Sequence, residues 1–330
     1  MLFRSRILVT GGAGYIGSHT CKALAHQGHT VVVYDNLSTG HRELVRWGDF
    51  VYGDILDTQR LRACIRQHRI EGIIHFAASA YVGESVIDPG KYFRNNVCGT
   101  LSILDAMRDE GVPYIVVSGT CAVYGSPEKM PITEDTPTNP INPYGASKLF
   151  MERMLADYEK AHDIRWMSLR YFNAAGCDPE GETGEWHEPE THLIPRALMA
   201  AMGQIPALEI FGDDYPTPDG TCIRDYVHVT DLADAHVRGI DFLGIDGRSG
   251  ALNLGTGQGF SIREVLGAIE EVTGRPVPLA LSGRREGDPT VLAADASRAK
   301  DLLGWKSDSS SLTHIIDTAW SWQSYRLLES

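Results

Sequence analysis

The sequence predicts an α/β protein built on a doubly wound parallel sheet, with a smaller lobe interwoven with it. Three observations carry this expectation. Short apolar, β-branched runs recur at Ile7–Val9, Val31–Tyr34, Phe50–Tyr52, Ile73–Phe76, Tyr114–Val117 and Trp166–Leu169. Longer helical patterns separate several of them, around Thr58–His68, Lys91–Glu110 and Pro143–His162. After Tyr171 the rhythm breaks, and residues 173–228 turn rich in Gly, Pro, Asp and Glu, with one helix near Leu193–Met202.

Taken in order, the first run leads straight into Gly11-Gly12-Ala13-Gly14. A helical pattern carrying Ile16, Cys21, Leu24 and Ala25 follows and stops near Gly28. Strands alternating with helices define βαβ units, which need a parallel sheet covered on both faces. The right-handed crossover rule then makes the sheet doubly wound. Val229–Phe242 reads as helix, Ala251–Leu254 as one more strand, and Ser261–Thr273 as a late helix. Without an internal repeat or linker, two interwoven lobes are expected. Residues 1–172 plus 229–256 would form the sheet domain, and residues 173–228 plus 257–330 the smaller lobe.

The chain has 330 residues, 43% apolar and 22% charged, the mix of a folded globular protein. Lys and Arg number 30 against 43 Asp and Glu, for a formal net charge of −13. That field repels polyanions and argues against nucleic-acid binding, while local arginines still allow a small phosphorylated ligand. Six scattered cysteines, with no CxxC, read as reduced thiols. The apolar run before Gly11 is too short for a secretory signal, and no stretch approaches a membrane span. A soluble, cytoplasmic protein without membrane partners is expected.

Gly11, Gly14 and Gly17 satisfy the spacing of a dinucleotide-binding turn between a strand and a helix. Such a turn brings a pyrophosphate against the free N–H groups of the helix N-terminus in a Rossmann sheet. Asp35 closes the next strand, 18 residues after Gly17, where a carboxylate accepts ribose hydroxyls and repels a 2′-phosphate. NAD is therefore favoured over NADP, with nearby Arg42 the one residue that would suit the phosphate instead. Tyr144 and Lys148 stand at i and i+4, neighbours on one helical face. A phenol with a reference pKa near 10 needs a nearby cation to act as a base. Thr120, just past the strand Tyr114–Val117, adds a hydroxyl at the end of the sheet where ligands bind. Thr120, Tyr144 and Lys148 form the candidate hydroxyl-oxidation site.

The segments TGGAGYIG at 10–17, GDI at 53–55, HFAA at 75–78, NNVCGT at 95–100, YGASK at 144–148 and RYFNAAG at 170–176 resemble the extended short-chain dehydrogenase/reductase superfamily. More narrowly, VGESV at 82–86, THLIP at 191–195, residues 209–236 and RREGDP at 284–289 resemble the UDP-glucose 4-epimerase family, nearly end to end. The resemblance implies a tightly held NAD that is returned unchanged. Tyr144 would take the proton of the sugar 4-hydroxyl while hydride leaves C4, and the 4-keto sugar would turn and be reduced on its other face. By motif position Gly11, Gly14, Tyr15, Ile16, Gly17, Asp35, Asn36, Leu37, Ser38, Thr39, Gly40, Asp54, Ile55, Phe76, Ala77, Ala78, Ala80, Asn95, Tyr144, Lys148 and Phe172 would line the NAD site. Thr120, Tyr144, Asn173, His192, Leu193, Ile210, Phe211, Arg224, Arg285 and Asp288 would hold the UDP-sugar. The helices Lys91–Glu110 and Pro143–His162 would pair with a second copy in a homodimer.

Three positions depart from the family pattern. Thr120 replaces a common Ser and keeps its hydroxyl. Ala80 stands where several relatives carry a Lys, which implies looser NAD retention. Leu292 falls where some carry a Tyr, and its shorter side chain would admit an N-acetylated sugar. UDP-glucose/UDP-galactose is the main expectation, with UDP-xylose/UDP-arabinose and UDP-N-acetylglucosamine as alternatives. A dehydratase or decarboxylase would need an acid/base pair beside Thr120, where Cys121 and Ala122 stand instead. A non-catalytic dinucleotide sensor would be free to lose Tyr144 or Lys148, and both are present. His75 and His228 read as core histidines. The acid-rich stretch Glu180–Glu190, with His187, matches no metal motif and is expected to be a solvated loop.

Overall fold

Every apolar run of the first half forms a strand. The computed structural model describes residues 4–245, 247–285 and 289–329. Its first half runs β1 (Arg6–Thr10), α1 (Tyr15–His26), β2 (Thr30–Asp35), β3 (Asp49–Tyr52), α2 (Thr58–His68) and β4 (Gly72–His75). There follow α3 (Val82–Ile87), α4 (Pro89–Tyr92), α5 (Gly99–Glu110), β5 (Tyr114–Ser118), α6 (Pro143–His162) and β6 (Arg165–Arg170). The second half contains β7 (Asn173–Ala175), α7 (Leu193–Ala201), β8 (Leu208–Phe211), β9 (Ile223–Arg224), β10 (Tyr226–His228), α8 (Val229–Gly244) and β11 (Gly250–Asn253). It ends with β12 (Phe260–Ser261), α9 (Ile262–Thr273), β13 (Leu279–Ser282), β14 (Val291–Leu292), α10 (Ser297–Leu303) and α11 (Leu312–Glu329).

The main sheet has seven parallel strands in the order β3-β2-β1-β4-β5-β6-β11. Alternate residues of each strand point to opposite faces. Ile7, Val9, Val33, Ile74, Val116 and Leu169 pack beneath α1 and α8, while Leu8, Val32, Ile73, Ile115 and Val117 pack beneath α2, α5 and α6. The strand order reverses between β1 and β4, so the crevice above their carboxyl ends is the place where such sheets bind ligands.

Three expectations need correction. Lys91–Glu110 is not one α-helix, because a π-helical turn at Phe93–Cys98 separates α4 from α5. Residues 173–228 carry four short strands besides α7. Each is two to four residues long and pairs with a distant segment: β8 with β13, and β9 with both β12 and β14. Segments so short have no readable periodicity of their own. The smaller lobe has its own core of Ala197, Leu198, Ile210, Val265, Ile269, Ile316 and Trp322. Ala299 and Leu303 of α10, with Trp305, pack instead into the sheet-domain core, beyond the span expected for that domain.

Candidate active site

The glycine turn sits at the end of β1. Gly11 has φ +76°, and a Cβ there would lie 2.5 Å from the Ala77 amide nitrogen. A Cβ on Gly17 would fall 2.2 Å from the Gly11 carbonyl oxygen, so both positions are closed to any side chain. Gly14 is the N-cap of α1, whose first turn has neither a side-chain cap nor an acidic residue. Its free N–H groups, including those of Tyr15 and Ile16, are left for an anion. Asp35, buried at the end of β2, accepts from the Ala13 and Leu37 amides at 3.0 and 2.8 Å. Burial pushes its carboxyl above the ordinary range, against those two hydrogen bonds. The loop Asn36–Gly40 closes back on the turn through the His41 N–H, which donates to the Ala13 carbonyl at 2.9 Å. Asn36 Nδ2 reaches Asp54 at 3.1 Å, and Ile55 is buried beside it. Arg42 lies over the Phe50 ring and donates to the Val45 carbonyl, so its guanidinium is engaged away from a 2′-phosphate. An uncapped helix end, a side-chain-free cradle and a buried carboxylate fit a dinucleotide with a free 2′-hydroxyl.

The opposite wall follows β4 and β5. Phe76 and Ala77 donate their amides to the Thr10 carbonyl, which carries the Phe76–Ala80 segment over the crevice; Ala80 is exposed at its end. Asn95 lies in the π-helical turn. Its neighbour Asn96, fully buried, ties three elements together: it accepts from the Ser79 amide at 2.8 Å and donates to the Ser79 carbonyl and to Ser147 Oγ, both at 3.0 Å. π-helical turns concentrate at functional sites. The NNV segment was visible in the sequence, but which asparagine faces inward depends on this irregular turn.

Thr120, Tyr144 and Lys148 meet at the end of β5. Thr120 caps a short 3-10 turn and accepts from the Ala122 amide at 3.1 Å. Asn142 caps α6, and Pro143 fills its first turn, so the helix starts one residue before Tyr144. Burial raises the Tyr144 phenol, opposed by a hydrogen bond with Thr120. Lys148 is 4% exposed and donates to the Ser118 carbonyl at 2.8 Å. Burial pushes its ammonium down to about 8. His75 and His236 are both held low, chiefly by burial and then by the charge of Lys148, so both are neutral at pH 7. His75 is bonded to Thr10 at 2.8 Å and Thr100 at 3.3 Å, and His228 to Thr230 and Thr318. Cys121 is buried and its thiol is raised well above its usual value.

On the sugar side, Phe172 and Leu292 pack on one small cluster with Tyr124 and Cys121, the residue that follows Thr120. Asn173 donates to the Asp225 carbonyl at 2.8 Å. Arg224 is paired with Leu292 across β9 and β14, and the Arg285 guanidinium lies 3.7 Å from the centre of the Phe211 ring. Asp288 lies outside the described residues. Two side chains, Tyr15 expected at the NAD site and Ile210 expected at the sugar site, point elsewhere. Tyr15 is buried, its hydroxyl donating to the Gly176 carbonyl at 2.5 Å, and Ile210 belongs to the lobe core. Both offer only backbone to a ligand.

The stretch 180–192 overturns the expectation of a solvated loop. Lys22 binds Asp178, Glu180 and Glu182, with Asp178 buried. Glu185 is buried, and its carboxylate, with that of Glu190, faces His187 and His192 at 2.9–3.4 Å. His192 and Leu193 open α7 from this cluster.

A parallel sheet with a glycine turn at an uncapped helix start, a buried carboxylate at the next strand end and a Thr–Tyr–Lys group at the same edge of the sheet is the arrangement of a dinucleotide-dependent enzyme acting on a hydroxyl. The chain belongs to the NAD dependent epimerase/dehydratase family, whose model matches residues 7–255. It is 53% identical to a UDP-glucose 4-epimerase of Rhizobium leguminosarum bv. trifolii over 96% of each chain, and 52% identical to one of Rhizobium meliloti (strain 1021) over 98% of each. The crystal structure of UDP-glucose 4-epimerase from Brucella ovis in complex with NAD shares 57% identity, with a TM-score of 0.95 over 96% of this chain and 98% of that one. A UDP-glucose-4-epimerase from Stenotrophomonas maltophila, with bound NAD and formylated UDP-arabinopyranose, superposes with a TM-score of 0.96 at 42% identity, over 99% and 100%.

Proposed function

We propose that this protein is a UDP-glucose 4-epimerase that interconverts UDP-glucose and UDP-galactose with NAD as its resident cofactor. The observation that carries the reading is the convergence of Thr120, Tyr144 and Lys148 at the end of β5, facing the glycine turn, in a chain similar end to end to UDP-glucose 4-epimerases. Bound NAD would supply a reversible hydride acceptor for the sugar C4 and positive charge beside Tyr144. The raised phenol does not ionise unaided at neutral pH, so it needs cations nearby. Lys148, on the same helical face, is held in place by the Ser118 carbonyl. Tyr144 takes the proton of O4 and later returns it, and the Thr120 hydroxyl orients that oxygen. Arg224 and Arg285 hold the diphosphate as planar donors, while the apolar floor of Phe172 and Leu292 leaves the sugar free to turn. Cys121 and Ala122, beside Thr120, supply no acid for elimination chemistry.

The protein works as a homodimer in the cytoplasm on this reading. Phe93 and Phe150 meet edge to face, and with Leu101 they lie exposed along the π-helical turn, α5 and α6, where a second copy would cover them. Among the described residues no helix is long and apolar enough to cross a membrane. Proton NMR of the purified protein with UDP-galactose, without added cofactor, tests the function: the C4 epimer is expected. No turnover by folded protein, even with added NAD, would leave a dinucleotide sensor as the better reading.

A further inference from the structure

We propose that Glu185, His187, Glu190 and His192 form a binding site for one divalent transition-metal ion of the zinc type. The four residues contribute one ligand atom each, and those atoms all lie within 4.8 Å of one another. The His192 Nδ1 stands 3.0 Å from Glu185 and 2.9 Å from Glu190; the His187 Nδ1 stands 3.3 and 3.4 Å from the same two carboxylates. In a tetrahedral site with bonds of about 2.0–2.1 Å, neighbouring ligand atoms are about 3.3 Å apart, and the His187 and His192 Nδ1 atoms stand 3.3 and 3.0 Å from one and the same oxygen, Glu185 Oε1, close to that spacing. Each imidazole Nδ1 carries at most one proton, yet each faces two carboxylates. One dication among two carboxylates and two neutral imidazoles satisfies all four groups and leaves no net charge in a partly buried cluster.

Nitrogen and oxygen donors in equal number suit zinc better than calcium or magnesium, which take oxygen ligands. The surroundings orient the donors as outer groups do in metal sites. The Thr191 and His192 amides hold Glu190 Oε1 at 2.7 and 2.8 Å, and Tyr15 and Tyr81 stand edge-on to His187. The neighbouring acidic group Asp178, Glu180 and Glu182 already has its cation in Lys22. An ion bound by Glu185, His187, Glu190 and His192 would pin the start of α7 next to the tyrosine that follows the glycine turn, joining the two lobes beside the active site.

The test uses the full-length protein stripped with a chelator, its cofactor content checked by absorbance, then titrated with zinc chloride. Calorimetry and elemental analysis are expected to show one zinc per chain, with a rise in melting temperature of roughly 5 °C at saturating metal. Cobalt chloride in place of zinc should give the visible bands of a tetrahedral cobalt site. His192→Gln, at the more exposed edge, and Glu190→Gln should each lose the zinc, the cobalt bands and the thermal shift, while keeping the far-ultraviolet circular dichroism of the parent. Failure of the parent to retain zinc, or equal retention by both folded variants, would overturn the site.

Discussion

The cofactor end and the sugar end of this active site are built in opposite ways. The cofactor end is made of consecutive strand–turn–helix units, and its key groups are mostly backbone, a helix N-terminus and a turn with no room for a Cβ, joined by one side-chain carboxylate at a strand end. The sugar end is made of strands two to four residues long, borrowed from segments far apart in the chain, and its key groups are long side chains such as Arg224 and Arg285. Rigid local units are suited to holding a cofactor in one fixed position. A site assembled from loose ends is suited to a substrate that must enter, turn and depart. Substitutions at the first end should therefore damage the chemistry, and those at the second should change affinity and choice of sugar.

The largest effect is expected at the junction of the two. Tyr144→Phe removes the proton acceptor and should lower kcat about 10³-fold or more, in the range for a lost general base, with NAD content unchanged. Stopped turnover with retained cofactor absorbance checks it; a variant within tenfold of the parent would mean that another group takes the proton. Lys148 gives the next effect, and it has a sign that can be worked out. Its folded pKa, about 8, lies below the ordinary 10.5, so the folded chain binds fewer protons between those values and its stability rises with pH there. Below pH 8 the buried charge costs stability. Lys148→Met should therefore be almost inactive yet more stable at pH 7 by about 1–2 kcal/mol, after allowing for the lost bond to Ser118. That gain should shrink as pH rises toward 10, measured by urea unfolding. In the parent enzyme kcat should fall as pH passes through about 8 and the cation is lost.

The same contrast explains what the sequence made legible. The sheet, the glycine turn, Asp35 and the bounds of α2 and α6 were readable because each is written in a local pattern of apolar period or turn residues. The strands β9, β12 and β14 were not, because two-residue strands exist only through partners more than 30 residues away. Asn96 was hidden for a different reason: a π-helical turn rotates side chains out of the 3.6-residue frame used to read the helix. The stretch Glu180–Glu190 misled because its composition is that of a solvated loop, whereas pairing with Lys22, His187 and His192 offsets the cost of burying its acids.

A smaller effect is expected at the sugar end. Arg285→Lys keeps the charge but loses the planar, paired donors and the packing on Phe211. KM for UDP-galactose should rise about 10-fold with kcat nearly unchanged, the pattern of lost uniform binding. A fall in kcat with unchanged KM would place Arg285 in the chemistry and weaken the division between the two ends.

The smallest change in overall activity, and the most selective, is expected at Leu292. Its side chain packs against the same cluster as Phe172, and its backbone pairs with Arg224, so it adjoins two of the residues proposed for the sugar side. Leu292→Tyr adds a ring where an N-acetyl group would need space, without altering Thr120, Tyr144 or Lys148. Turnover of UDP-galactose should stay within about 3-fold, since the smaller sugar still fits, while turnover of UDP-N-acetylgalactosamine should fall at least 10-fold, the scale on which a pocket discriminates by volume. Parallel rate measurements on both sugars decide it. Equal losses for the two would mean that the added ring disturbs β9 and its arginine rather than the sugar pocket, and that sugar choice is set by residues on α7 or β8 instead.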